Sequence, residues 1–485
     1  MSPKLEFLNP ELIQKILEEA FYLLKNTGVK VQSPLARQLL AELGATVAAN
    51  DEIVTLPEDI VQNALKTVPH EFWLYSRSGE ALVQYGGDVV HFDPGSCGVH
   101  ILEADTFEHR PSTSMDLIHL IKVTEQLPQY AAQSTAVVCN EIPKSIGDLY
   151  RLFLVLWYSN KPIVTGAFSV HTTQIMFDML AIFRNGREGL REKPLAVFDV
   201  CPSPPMIWSD FAAQNLIDLA RAGVPAQIVS MPLAGAAAPV TILGAIVQHA
   251  AECLSGITLH QAANPGAPIV WGGAPAIFDM RQGTTPMGAI ETAMLDAAYA
   301  QVGKSLGLPT HGYLGASDAK IVDVQAGIES SLSALVGALA GINMISGAGM
   351  LDFLACQSVE KLIIDAETIG MVQRLLKGIE VQTNPLALLF YSDFNFKGDF
   401  LKQRLTRDLF PKEQYLPSMV IDRGSIRIWE EQGKLDAFQR AKIRAQELIE
   451  NYQKPKMTDH EEQELWSLVS QVAQAAGLEK LPLLL

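Results

Sequence analysis

Close cysteine pairs are missing from this 485-residue chain: its five cysteines, Cys97, Cys139, Cys201, Cys253 and Cys356, stand far apart in the sequence. Such spacing suggests neither a disulfide framework nor a thiolate zinc site, and reduced, structural thiols are expected. Positive charge is also scarce, with 37 Lys and Arg against 53 Asp and Glu for a formal net charge of −16. Nucleic acid and anionic membrane, which need clustered Lys and Arg, are therefore not expected as partners. No uninterrupted apolar stretch approaches the ~20 residues of a membrane-crossing helix. The opening MSPKLEFLNPELIQ lacks the basic, apolar and small-residue segments of a secretory signal, so a cytoplasmic protein is expected. Among the histidines no HExxH arrangement occurs, and His249 and His260 lie eleven residues apart on one predicted helix. No metal is expected in this chain.

What is present is apolar: 48% of the residues are hydrophobic and 19% charged, enough for one large core with smaller additions. Residues 1–115 read as an α+β cap. Asn9-Pro10 is an N-cap followed by a first-turn proline, and Ile13, Ile16, Leu17, Ala20 and Leu24 form a helical stripe that Gly28 ends. A second helix is predicted from Ser33-Pro34 to near Gly44, with short strands around Phe72–Leu74 and Val89–Phe92.

From about residue 116 the pattern becomes short β-branched runs, each followed by a Gly/Pro/Ser-rich turn and a helix-length segment. The runs are 136–138, 162–165, 196–200, 226–230, 268–271, 310–314 and 344–346, with an eighth near Leu386–Tyr391. Their starts recur every ~30 to 40 residues, the size of a βα unit, and continuous apolar runs suit parallel strands buried on both faces. A doubly wound sheet would carry a glycine-rich phosphate turn after its first strand, and none occurs in that position. The expectation is an α/β fold, a (β/α)₈ barrel over 116–420 with the N-terminal α+β cap and a C-terminal helical extension over 421–485. In that extension Ala437, Ala441, Ala445, Leu448 and Ile449, then Leu465, Leu468 and Val472, fall at helical spacing.

Barrel active sites lie where the strands end. There the sequence offers Ser-Val-His (169–171), Cys-Pro-Ser-Pro-Pro (201–205), Met-Pro-Leu-Ala-Gly (231–235), Gly-Gly-Ala-Pro (272–275), Gly-Ala-Ser-Asp (315–318) and Gly-Ala-Gly-Met (347–350). This rim is small, glycine-rich and nearly uncharged. Hydrolysis and phosphoryl transfer want paired carboxylates, metal ligands or basic groups, whereas such a rim suits a broad, flat cofactor face and a reaction with little proton transfer.

Several long segments carry a family resemblance: VPAQIVSMPLAGAAAPVT (224–241) running into HAAECLSGITLHQ (249–261), FDMRQGTTPMG (278–288), ASDAKIVDVQAG (316–327), ALAGINMISGAGML (338–351) and LIIDAE (362–367). Over almost its whole length the chain resembles the corrinoid-dependent trimethylamine methyltransferase family, and within it the members of the glycine betaine methyltransferase type that lack pyrrolysine. The resemblance implies a (β/α)₈ barrel and transfer of a methyl group to Co(I) of cobalamin, a corrinoid carried by a separate partner protein. Pro309–Lys320 aligns without a gap with the segment that carries pyrrolysine in the trimethylamine enzymes, and Gly315 stands at that position. Pyrrolysine serves to capture a tertiary amine, so its replacement implies a small quaternary amine, whose positive nitrogen already makes its methyl transferable. Glycine betaine is expected first, with proline betaine, carnitine or γ-butyrobetaine as alternatives. A non-catalytic barrel that only binds quaternary amines is the reading from another class.

Quaternary ammonium groups sit in aromatic cages. Phe92, Trp271, Tyr313, Phe353, Phe396 and Phe400 adjoin rim segments and are the candidates, although Trp271 lies within a strand and can face the helices instead. Gly315 leaves room for a bulky trimethylammonium group, or is simply a turn glycine with positive φ. Asp318 is expected to bond loop amides or Lys320, with contact to substrate or corrinoid as the alternative. A betaine carboxylate needs a donor, for which Lys397, Arg404, Arg407 and His311 are candidates, with Arg favoured for its bidentate geometry. Self-association into a homo-oligomer is expected.

Overall fold

Eight short parallel strands make the centre of the molecule in a computed structural model that describes residues 3–48, 52–392, 394, 396, 398–478 and 481. They are β1 (His91–Pro94), β2 (Gln133–Ser134), β3 (Ile163–Thr165), β4 (Ala196–Val200), β5 (Ala226–Ile228), β6 (Ile269–Gly273), β7 (Thr310–Gly312) and β8 (Met344–Ala348). Their spatial order is β1-β8-β7-β6-β5-β4-β3-β2. The two ends of that sheet meet: Ala131 N–H donates to Phe92 O at 2.9 Å, and Gly98 N–H to Ala136 O at 2.9 Å. The result is a nearly closed barrel. Each strand leads to a long helix, in turn α1 (Ser114–Gln126), α2 (Gly147–Tyr158), α3 (Val170–Ile182), α4 (Asp210–Ala222), α5 (Ile242–Ala263), α6 (Ile290–Ser305), α7 (Val324–Leu339) and α8 (Val359–Leu376).

The apolar runs do what parallel strands require. Every residue of β6 and β8 is buried, because helices cover one face and the barrel interior the other. Along β4, Phe198 packs outward edge-on to Phe177 of α3, with ring centroids 5.7 Å apart. Val197 belongs instead to an interior cluster with Val164, Val270 and Met344. Strand side chains alternate, so Asp199 is turned inward two residues beyond Val197. The same interior cluster takes in Leu74, Val83 and Tyr85 from the hairpin Phe72–Tyr75/Ala81–Tyr85. This hairpin plugs the floor of the barrel and leaves the strands' C-terminal ends as the open face.

Two expectations are corrected. The predicted strand at Leu386–Tyr391 is absent: Leu388–Tyr391 is a 3₁₀ turn with no buried residue. The eighth strand is His91–Pro94, paired with β8, so the barrel draws a strand from the segment assigned to the N-terminal cap. An apolar run alone does not separate a strand from an exposed arm. What makes His91–Pro94 a strand is its pairing with a neighbour roughly 250 residues later, a long-range contact that no local pattern carries.

Outside the barrel, helices Pro10–Asn26, Pro34–Glu42 and Glu58–Leu65 and a small sheet cover the α5 side. Val29–Val31 of that sheet pairs in parallel with Ile207–Trp208 from the loop after β4. Helix α5 is long and apolar enough to cross a membrane, yet most of it is buried between the barrel and this layer. At the other end of the chain, Ala437–Glu450 buries Ala441, Ala445 and Leu448, and Asp459–Ala475 buries Leu465, Val469 and Ala473.

Candidate active site

A cavity of about 420 Å³ opens at the C-terminal ends of β2, β3 and β4. Its walls come from the strand ends and the loops after them: Thr135, Gly166, Phe168, Asp199, Cys201 and Tyr313 are among the lining residues, with Arg151, Phe211 and Met231 completing the sides. Phe168 and Met231 are half exposed on its rim.

Asp199 is the carboxylate of this cavity. Its Oδ2 accepts from Tyr313 Oη at 2.9 Å, and its Oδ1 accepts from Gln227 Nε2 at 2.7 Å. Gln227 Oε1 in turn accepts from Tyr85 Oη at 3.2 Å, which ties the carboxylate through β5 to the floor hairpin. Burial pushes Asp199 up to about 6, against the pull of its two hydrogen bonds. At neutral pH it is therefore mainly ionised, a negative charge fixed at the end of β4 and held in one orientation. The same burial, with Asp199 beside it, pushes the Tyr313 phenol well above its usual range, so Tyr313 stays a neutral donor.

Arg151 is the cation of the cavity, and it is 1% exposed. It projects from α2, where Asp148 is the other charged residue in an otherwise apolar helix. Arg151 Nη1 donates to Thr135 O at 2.9 Å, its guanidinium lies 4.7 Å from the centroid of the Phe168 ring, and its Nε has no partner. Asp148 does not neutralise it: Oδ1 accepts from Leu149 N at 2.8 Å, and Oδ2 from Phe168 N and Thr172 Oγ1, each at 2.5 Å. Those bonds fix the loop that carries Phe168 over the guanidinium.

Below the cavity, His311 Nε2 lies 3.0 Å from Ser346 Oγ, and Ser346 Oγ donates to Asp93 Oδ1 at 2.5 Å. Burial lowers His311 to about 3, so its imidazole is neutral at physiological pH, and pushes the Asp93 carboxyl well above its usual range. His311 packs edge-on to Tyr313, with ring centroids 5.1 Å apart, and supports that ring from beneath. Among the described residues, no group of three or more His, Cys, Asp or Glu is placed to hold a metal ion.

The structure scatters the residues expected at the cation site. Tyr313 lines the cavity, whereas Phe92 is buried in the main core. Trp271 faces the helices: its Nε1 donates to Tyr299 O at 3.0 Å, and it packs against Gly303 of α6, where an added Cβ would come within 2.5 Å of the ring. Phe353 already carries Lys320 Nζ at 3.9 Å from its centroid. Phe396 and Phe400 cluster with Phe394 in the exposed arm that follows α8. Arg404 and Arg407 are exposed on helix Arg404–Glu413, with Arg404 3.5 Å from Asp408, and Lys397 lies outside the described residues. Asp318 accepts from Met287 N at 2.8 Å and Gly288 N at 3.0 Å and so holds the loop before α6. Gly315 has φ +84°, donates to Ser333 Oγ at 3.0 Å, and is buried against α7 and β8 without lining the cavity.

Asp199, Phe168 and Arg151 were not among the sequence candidates. Asp199 sits inside a strand run and not after it, yet a carboxylate in the middle of AVFDV is itself a signal, since a strand buried on both faces has no solvent for it. Arg151 within LYRLFLVLW carries the same signal on a helix.

A family model described as trimethylamine methyltransferase (MTTB) matches residues 1–477. The chain belongs to that family. It is 29% identical over 479 residues to a glycine betaine methyltransferase of Desulfitobacterium hafniense (strain Y51), covering 98% of this chain and 99% of that one. To the trimethylamine methyltransferase MttB of Methanosarcina thermophila it is 32% identical over 461 residues, covering 92% and 93%. The crystal structure of the Methanosarcina barkeri monomethylamine methyltransferase MtmB superposes with a TM-score of 0.55 at 13% identity, covering 98% of this chain and 90% of that one, a likeness of fold. The protein is thus a methyltransferase built on a (β/α)₈ barrel, in a family that works with a corrinoid carried by a partner protein.

Proposed function

We propose that this methyltransferase takes a methyl group from a small quaternary amine, glycine betaine first, and delivers it to the corrinoid of a separate protein, releasing dimethylglycine. The observation that carries this reading is the Asp199–Tyr313 pair at the strand ends, a fixed anionic and aromatic wall in a cavity with Phe168 and Phe211 on its sides. A permanent cation needs such a wall, because it has no proton to give and is recognised only by charge and by aromatic faces. Gly315 at the position aligned with pyrrolysine supports it, as does the 29% identity to a glycine betaine methyltransferase over nearly the full length of both chains.

The corrinoid supplies a Co(I) nucleophile for the methyl carbon. The protein's own part is positional. Asp199 and the aromatic walls hold N⁺ deep in the cavity with one methyl turned to the open face. The half-exposed Phe168 and Met231 make that rim apolar, fit to lie against a flat macrocycle and exclude water. When the N–CH₃ bond breaks, the electron pair stays on nitrogen and a neutral tertiary amine leaves, so no general acid is needed. As the positive charge disappears, its attraction to Asp199 disappears with it, which favours product release.

The reading includes no pyrrolysine and no metal in this chain, a cytoplasmic location and self-association. Proline betaine, carnitine and γ-butyrobetaine remain the alternative substrates, since about 420 Å³ exceeds what glycine betaine fills. The test is to mix the purified protein with a reduced corrinoid protein and follow the corrinoid's visible spectrum with each amine. Betaine-dependent conversion is expected. Conversion by none of the betaines, with binding retained, would instead favour a non-catalytic amine-binding barrel.

A further inference from the structure

We infer that Arg151 is the carboxylate anchor of the cavity, so that the protein selects zwitterionic quaternary amines that carry a carboxylate and rejects choline and simple methylamines. The inference rests on the proposed reading for its cation end, but its own ground is the state of the guanidinium.

Arg151 is 1% exposed, so its guanidinium has given up its hydration, a loss that an anion and hydrogen bonds ordinarily offset. Arg151 has received one backbone bond in exchange, to Thr135 O. Its Nε has no partner, and the carboxylate that shares the cavity lining, Asp199, is bonded to Tyr313 and Gln227 instead. The nearest acid in sequence, Asp148, spends its oxygens on backbone and hydroxyl donors. A merely structural arginine in a folded core is ordinarily paired. This one instead lines the cavity, with the Phe168 ring 4.7 Å from its guanidinium. Buried, oriented and with donors to spare, it is built to receive a planar anion in bidentate fashion.

The same cavity is also lined by a negative end, Asp199 with Tyr313. The two charges are not paired with each other, and a cavity between them holds a dipole that matches a zwitterion with its carboxylate toward α2 and its ammonium toward β4. A ligand with both charges satisfies both ends. Trimethylamine and choline bring no anion to Arg151 and forgo that pairing, and the forgone pair is the basis of selection.

Calorimetry on the whole protein without corrinoid separates the two ends through three probes: glycine betaine with both charges, choline with the ammonium alone, and 3,3-dimethylbutyrate, the carbon isostere of glycine betaine, with the carboxylate alone. The unaltered protein is expected to bind glycine betaine about 30-fold or more tightly than choline, the worth of one buried charge-assisted pair. Arg151→Gln should erase that preference to within about threefold through loss of glycine betaine affinity, and Arg151→Lys should restore part of it. Equal binding of choline and glycine betaine by the unaltered protein overturns the inference, whether or not the variants fold. So does a folded Arg151→Gln protein that keeps the preference. Binding of 3,3-dimethylbutyrate as tight as that of glycine betaine would sink the quaternary-amine reading and leave the carboxylate anchor standing.

Discussion

Tyr313, just beyond β7, reaches across the barrel mouth to Asp199 on β4, with Oη 2.9 Å from Oδ2. The contact ties the ends of β7 and β4 together and, with the Gln227 bond to Oδ1, holds the carboxylate in one orientation. In Tyr313→Phe that donor is gone, and the carboxylate is held by Gln227 alone. The expected result is weaker glycine betaine binding by about 5- to 50-fold, from one charge-assisted hydrogen bond and its ordering effect. The acid limb of the binding profile should also move to higher pH, because a donor to the ionised form has been removed. Unchanged affinity and an unchanged acid limb in calorimetric titrations would remove Tyr313 from the site.

The pH dependence follows from Asp199 itself. Burial raises it to about 6, so in the free protein it takes up a proton as pH falls through that value and loses the charge that attracts N⁺. Tyr313, Gln227, Cys201 and, lower in the barrel, Asp93 are the groups that face it or act on its charge. Glycine betaine affinity should be flat above about pH 7 and fall by up to about tenfold per unit below 6. Affinity that stays level down to pH 4.5 in a protein that is still folded would contradict this.

A raised carboxylate also has a cost in stability. The native protein binds this proton more tightly than the unfolded chain, so Asp199 destabilises the fold progressively as pH rises from about 4 to 6, and fully above that. Asp199→Asn should therefore gain on the order of 1–3 kcal/mol at pH 7.5, with the gain vanishing near pH 4, while betaine binding is lost. Denaturant melts at the two pH values check the sign. A variant less stable at pH 7.5 would mean that Asp199 is held by more than its two hydrogen bonds.

Gly315 is held at φ +84°, and an added Cβ would make ordinary van der Waals contact with Ala334 Cβ at 3.7 Å and Ala348 N at 4.0 Å. Gly315→Ala should thus cost about 1 kcal/mol through backbone strain and not through a clash. Its measured loss in denaturant melts separates these, since a loss of several kcal/mol would require a collision that the geometry does not contain.

The aromatics of the arm make a contrasting pair with those of the cavity. Phe396→Ala and Phe400→Ala should leave betaine binding within about twofold, as surface changes away from a site do, whereas Phe168→Ala should weaken it through loss of the ring over Arg151. Weakened binding in the arm variants would bring that arm to the site.

Much of the barrel was legible in the sequence because buried parallel strands leave continuous apolar runs, as at Ala196–Val200, which is a strand with those same bounds. His91–Pro94 was misplaced because its strand character comes from β8, far along the chain. The site was less legible for a related reason. Tyr313 is legible as an aromatic adjoining a rim segment, whereas Asp199 inside β4 and Arg151 inside α2 are not rim residues, and their informative signal is a charge among residues that exclude water. The family resemblance carried the chemistry, while the two charged ends emerged only when strand alternation and helix facing brought them to one cavity.

The most direct test of the account is a single-turnover assay with the reduced corrinoid protein, in which the amine product is quantified against corrinoid methylated for glycine betaine and trimethylamine in parallel. The account predicts one dimethylglycine formed per corrinoid methylated with glycine betaine, and no dimethylamine from trimethylamine. Turnover of trimethylamine with glycine betaine left intact would contradict it.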